Sequence, residues 1–146
     1  MNRLFVGFLV CLLFASCAAY MDQPPKAIPA DADYLAKALA TPLTFSVPNA
    51  KADEAWSRIN VFISKYSPMK IQIATNFAIE TYNPPDGITC AYSASRLQKG
   101  DQAEFTVDCF TKGFTGAYKG NRATQNAHIL AYYALTGELK ESLISR

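Results

Sequence analysis

Few residues in this chain are of types that do chemistry, and their spacing narrows the choices further. His128 is the single histidine. One imidazole cannot build a His-rich metal site, and no Asp or Glu stands at helix-face spacing from it. No Gly-x-Ser-x-Gly elbow, phosphate loop or dinucleotide fingerprint occurs. The acidic pairs Asp53-Glu54 and Glu138/Glu141 have the spacing of helix-turn charges rather than of a glycosidase dyad. The sequence therefore points to no catalytic residue, no metal-ligand set and no cofactor. A triad gathered from distant Ser and Asp residues around His128 is the one enzymatic arrangement left open, and with it a small hydrolase.

The least ordinary stretch is Lys112 to Arg122. Lys112, Lys119 and Arg122 share it with Phe114, Tyr118 and three glycines, and it holds no acid. Residues of these types can stack on sugar rings or meet anionic headgroups. The plainer alternative is a connection from the last strand to the last helix, its aromatics folded on the core. The polar face of the expected sheet, with Thr44, Ser46, Gln72, Asn76, Glu80, Ser93 and Thr106 and an exposed Phe110, is a second candidate surface. The net charge of +2 is too balanced for a general nucleic-acid binder, which would show a basic stripe or patch.

Four cysteines are present, two of them in or at the end of an apolar leader. Cys90 and Cys109 remain for the folded part. If the hairpin between them has a four-residue loop, Gln98 to Asp101, then Cys90 faces Cys109 directly on the apolar face. That is a non-hydrogen-bonded pair, where Cβ atoms approach most closely. In an oxidising compartment such a pair predicts a disulfide, and in a reducing one two buried thiols. A catalytic pair is disfavoured, since there is no Cys-x-x-Cys and a bond on the core face is inaccessible.

The elements that must position these residues follow from periodicity. Half of the 146 residues are hydrophobic and 18% are charged, a balance that predicts a packed core. Leu43, Phe45 and Val47 alternate with polar residues as a short strand closed by Pro48. Asn49 can cap a helix in which Ala52, Ala55, Trp56, Ile59, Phe62, Ile63 and Tyr66 form one apolar stripe, with Val61 off it. Residues 71–80, 88–95 and 104–109 alternate as three further strands, separated by Pro84-Pro85-Asp86-Gly87 and Lys99-Gly100-Asp101. A last helix over Arg122–Leu135 ends at Gly137, where a left-handed cap is wanted. Glu138–Arg146 reads as a frayed tail or one more turn. The expected fold is α+β in the order β-α-β-β-β-α. It is a four-stranded antiparallel sheet with two helices on its apolar face, spanning residues 43–146.

Ahead of this domain stand a leader and a spacer. Met1-Asn2-Arg3 is a short positive start, and Leu4 to Ala15 is apolar apart from Gly7. The run is shorter than the roughly 20 residues a bilayer core requires. With the small residues that follow, it has the form of a secretory signal peptide over residues 1–16. Residues 17–42, with Pro24, Pro25 and Pro29, read as a stiff tether that ends in a short helix over Asp33–Ala40.

Phe14-Ala15-Ser16-Cys17 resembles the lipobox of bacterial lipoproteins, with Phe14 where that family usually carries Leu, Val or Ile. The resemblance covers residues 1–17 only. It implies that Cys17 is the first mature residue and carries the lipid, with palmitate among its acyl chains. Ala18 in second place implies sorting to the outer membrane, with the domain facing the periplasm. Ordinary cleavage after Ala18 or Ala19, giving a soluble periplasmic or secreted chain, is the competing expectation. The reading that unites these features is a non-enzymatic envelope lipoprotein, attached to the membrane by its lipid anchor. Its domain binds a partner protein or a glycan of the wall as an accessory or assembly factor, and no nucleic acid is involved. A soluble inhibitor or binding protein of the same fold is the alternative, and a small hydrolase the third.

Overall fold

The computed structural model describes residues 29–87, 89–113 and 116–145, with the backbone alone at 116–118. The leader and the first part of the tether, residues 17–28 with Cys17, lie outside the described residues. A 3-10 turn, Pro29–Asp31, leads into α1 (Ala32–Ala40), followed by β1 (Thr44–Pro48) and α2 (Asn49–Tyr66). Strands β2 (Ile71–Ala74), β3 (Ala78–Thr81), β4 (Ala91–Lys99), β5 (Gln102–Gly113) and the short β6 (Gly116–Tyr118) come next. The chain closes with α3 (Asn121–Thr136) and a 3-10 turn at Glu141–Leu143.

The strands pair antiparallel in the order β1-β5-β4-β3-β2, and β6 pairs with the far end of β5. This corrects the expectation of four strands and two helices. The five-stranded path carries three helices, and two causes account for the difference. The apolar alternation over residues 71–80 reads as one strand, but the chain folds back at Thr75. Its hydroxyl accepts from the Phe77 and Ala78 amides at 3.2 and 2.9 Å, and its own amide donates to the Ala78 carbonyl at 2.8 Å. A side-chain-stabilised turn of this kind is invisible to a period count, and before it β2 is exposed at all of its positions, its register with β3 shifting between Ile71 and Ile73. The third helix is α1, the one foreseen within the tether. Tyr34 and Ala38 are buried in the common core, and Tyr34 meets Tyr132 of α3 edge-to-face at 5.2 Å.

α2 follows the expected stripe residue for residue. Its buried positions are Ala52, Ala55, Trp56, Ile59, Phe62, Ile63 and Tyr66, and Val61 stands 50% exposed. Burying such a stripe against a sheet supplies most of the stability of a helix this size. Phe62 is its centre, touching Tyr66, Tyr92 and Tyr133 at ring distances of 5.0, 5.8 and 6.2 Å. Asn49 does not cap the helix. Its side chain instead donates to the Gly100 carbonyl at 3.0 Å and accepts from Gln98 at 2.6 Å, tying the start of α2 to the β4–β5 turn.

α3 ends at Gly137 as its sequence predicts, with φ +80° and the Gly137 amide bonded to the Tyr133 carbonyl at 2.8 Å. A Cβ there would lie 2.9 Å from the tip of the Arg58 side chain, which would have to shift, and the positive φ is what disfavours larger residues. The tail beyond it is not frayed: Leu143, Ile144 and Ser145 are buried. Asn126 of α3 holds Ser145 at both backbone groups, donating to its carbonyl at 2.8 Å and accepting from its amide at 3.0 Å. Gln125 donates to the Leu143 carbonyl at 2.9 Å.

Candidate functional site

The residues singled out in the sequence divide into those that the fold uses for its own support and those that it presents. His128 belongs to the first group, its Nδ1 lying 2.8 Å from the Thr41 carbonyl, where it joins α3 to the α1–β1 connection. The acids are engaged one by one. Asp53 pairs with Arg96 at 2.7 Å, Glu54 with Arg58 at 2.6 Å and Glu141 with Lys65 at 2.8 Å, while Glu138 accepts from the Tyr132 hydroxyl at 3.1 Å. Among the described residues no group of three metal-ligating side chains converges, and no helix is long and apolar enough to cross a membrane.

The stretch Lys112–Arg122 forms a hairpin rather than a loop. Thr111 and Lys112 of β5 stand opposite Tyr118 and Ala117 of β6. Lys112 is exposed, and its amide donates to the Asp86 carbonyl at 3.0 Å. The Lys119 ammonium pairs with Asp108 at 2.9 Å, so part of the basic charge is neutralised within the sheet. Arg122 lies half-buried in the first turn of α3. Phe114 falls outside the described residues, as does the side chain of Tyr118. Lys112 and Lys119 thus lie at one end of the sheet, both exposed.

Cys90 and Cys109 are both buried and no disulfide joins them. Their register differs from the expected one. Lys99 pairs with Gln102, which makes Gly100-Asp101 a two-residue turn and places Tyr92, not Cys90, opposite Cys109. Gly100 has φ +62°, the positive value that such short hairpin turns favour and that no β-branched residue would supply. A shift of two residues preserves the face, so both sulfurs still point into the core and hydrogen-bond each other. Burial, reinforced by that bond, pushes the Cys109 thiol well above its ordinary range, which makes it inert as a nucleophile. Asn126 donates to the Tyr92 hydroxyl at 2.8 Å and approaches Cys90 Sγ at 3.8 Å. Burial likewise holds the Tyr92 phenol neutral, far above its usual range.

What the sequence reading missed is a cleft of 470 Å³ between the first half of α2 and the β2–β3 turn. Asp53, Trp56 and Ser57 form one wall, and Asn76 and Phe77 the other, with Arg96 and Gln98 of β4 between them. Phe77 is 65% exposed although the Thr75 hydrogen bonds fix the turn that carries it. A large aromatic displayed on a rigid turn gains nothing for the folded core and is a favourable anchor for a partner. Arg96 lies with its guanidinium 5.9 Å from the Phe105 ring centre, and Phe105 in turn stacks on Trp56 at 6.2 Å. The cation is therefore held in place by aromatic packing as well as by Asp53. Phe77 alternates in phase with Ile79 and so reads as a core residue. It stands instead uncovered at the mouth of the cleft beside the Thr75 turn.

A smaller hollow, of 330 Å³, on the opposite face of the sheet is bordered by Gln72, Glu80, Asn83, Ser93 and Phe110. It contains the half-buried Phe110 but no cation. Against known proteins, no family model matches the chain, and neither a curated protein nor a solved structure matches it.

Proposed function

We propose that this chain is a non-enzymatic lipoprotein of the bacterial envelope, anchored through Cys17, whose α+β domain binds a partner protein at the Phe77–Trp56–Arg96 cleft. The observation that carries the binding half is the exposed Phe77 on its hydrogen-bonded turn, beside a half-sequestered arginine and the one tryptophan. Aromatic and arginine side chains at the centre of a concave patch are the composition of binding hot spots. The engagement of His128, Asp53, Glu54 and Glu141 in separate contacts favours binding over hydrolysis.

The envelope half rests on the leader and on the lipobox-like Phe14-Ala15-Ser16-Cys17. It also gives Cys90, just ahead of β4, and Cys109 of β5 an oxidising compartment, in which adjacent thiols close to a disulfide. In-cell crosslinking tests the whole reading. The chain should label with palmitate and fractionate with membranes, and Cys17→Ala should abolish both. A discrete adduct should disappear on Phe77→Ala and persist when Lys112 and Lys119 are both replaced by alanine. Unchanged fractionation of Cys17→Ala would remove the anchor, and adducts indifferent to Phe77→Ala would remove the cleft.

A further inference from the structure

We infer that the cleft recognises a carboxylate on its partner: an acidic side chain, flanked by aliphatic residues, in an exposed segment of a protein. This rests on the cleft being the binding surface and adds what it selects. The two members of the Arg96–Asp53 pair are placed very differently. The Arg96 side chain is 18% exposed and the Asp53 side chain 93% exposed, and the bond from Nη1 to Oδ1 is 2.7 Å. Arg96 cannot leave, because Phe105 lies beneath its guanidinium and β4 fixes its backbone, with its amide donating to the Phe77 carbonyl at 2.8 Å. Asp53 can leave at little cost, since an ion pair with one fully solvated member contributes little.

The cation therefore behaves as the fixed half of an exchangeable pair. An incoming carboxylate takes the place of Asp53 at Nη1, and Asp53 returns to water. The exchange favours the ligand because its carboxylate becomes shielded between Trp56 and Phe77, where the attraction to a guanidinium is less screened than at the surface. Aliphatic neighbours on the ligand cover the exposed ring of Phe77. A neutral or basic segment would leave the guanidinium with Asp53 alone and gain only the apolar contact.

Trp56 is the only tryptophan and lies in the cleft wall, so its fluorescence reports occupancy directly. The full chain is titrated with the peptide Ac-Ala-Leu-Asp-Leu-Ala-amide and with its Asn counterpart. The Asp peptide should bind about tenfold more tightly, the worth of one charge-assisted hydrogen bond. Asp53→Asn should tighten the Asp peptide about threefold by removing the competitor and leave the Asn peptide unchanged. Arg96→Gln should erase the difference between the peptides. Asp53→Asn, at an exposed position, carries the test even if Arg96→Gln fails to fold. Equal binding of the two peptides, lost on Phe77→Ala, would overturn the carboxylate while leaving the cleft as a binding surface. A fluorescence change with neither peptide would also overturn it, and the in-cell adducts at Phe77 then decide the binding reading separately.

Discussion

The two ends of β4 are built from similar materials and put to opposite uses. At its start, Tyr92 sits beside Cys90, Cys109, Asn126 and Ser145, all at least nine-tenths buried, and Asn126 ties Tyr92 to both backbone groups of Ser145. At its end, Arg96 borders an open cleft, its acid partner stands in water and an aromatic is displayed beside it. Polar groups at the first end are consumed by one another, save the Ser145 hydroxyl, which is buried without a hydrogen-bond partner among the described residues. Buried networks of this kind stabilise only when their members are satisfied, and each loss is costly. At the second end the polar and aromatic groups are held rigidly but not covered. The first arrangement serves the fold, and the second is what a surface for a partner requires.

This contrast predicts how the two ends respond to change. Asn126→Ala leaves both backbone groups of Ser145 and the Tyr92 hydroxyl without their partner in the core, and should cost about 3–4 kcal/mol in urea unfolding. A loss below about 1 kcal/mol would mean that the tail is not structurally docked. Next in size is the cysteine pair. Closing a 20-residue loop between Cys90 and Cys109 should raise stability by about 3 kcal/mol over the reduced form. Unfolding with and without reductant checks this, and Cys90→Ser should abolish the difference. At the open end, Phe77→Ala should change stability by less than about 0.5 kcal/mol while removing partner capture. A large destabilisation there would show that Phe77 supports the core and would dissolve the distinction between the ends.

The parts of this molecule legible in its sequence are those governed by a single period. The α2 stripe, the Gly137 stop and the alternation along β4 and β5 each follow from local rules, though β4 runs over Ala91–Lys99 rather than 88–95 and β5 over Gln102–Gly113 rather than 104–109. The features that sequence alone did not yield depend on a hydrogen bond between a side chain and distant or non-periodic backbone. Thr75 splits one apparent strand into two, and Phe77 is left exposed in the turn between them. Asn126 looks like a polar interruption on an apolar helix and is instead the clasp for a tail that composition alone marks as loose. The cysteine register slipped by two residues because Gly100 permits a tighter turn than the one assumed. The candidate site shared this fate. Its members Asp53, Trp56, Phe77 and Arg96 come from three segments, and no spacing in the chain announces their meeting.

The most direct test places a photoreactive phenylalanine analogue at position 77 and, separately, at position 110 on the opposite sheet face, in cells that express the full chain. The account predicts a discrete protein adduct from position 77, weakened by Arg96→Gln, and none from position 110. An adduct from position 110 alone, or none from either position in a chain that folds normally, would contradict it.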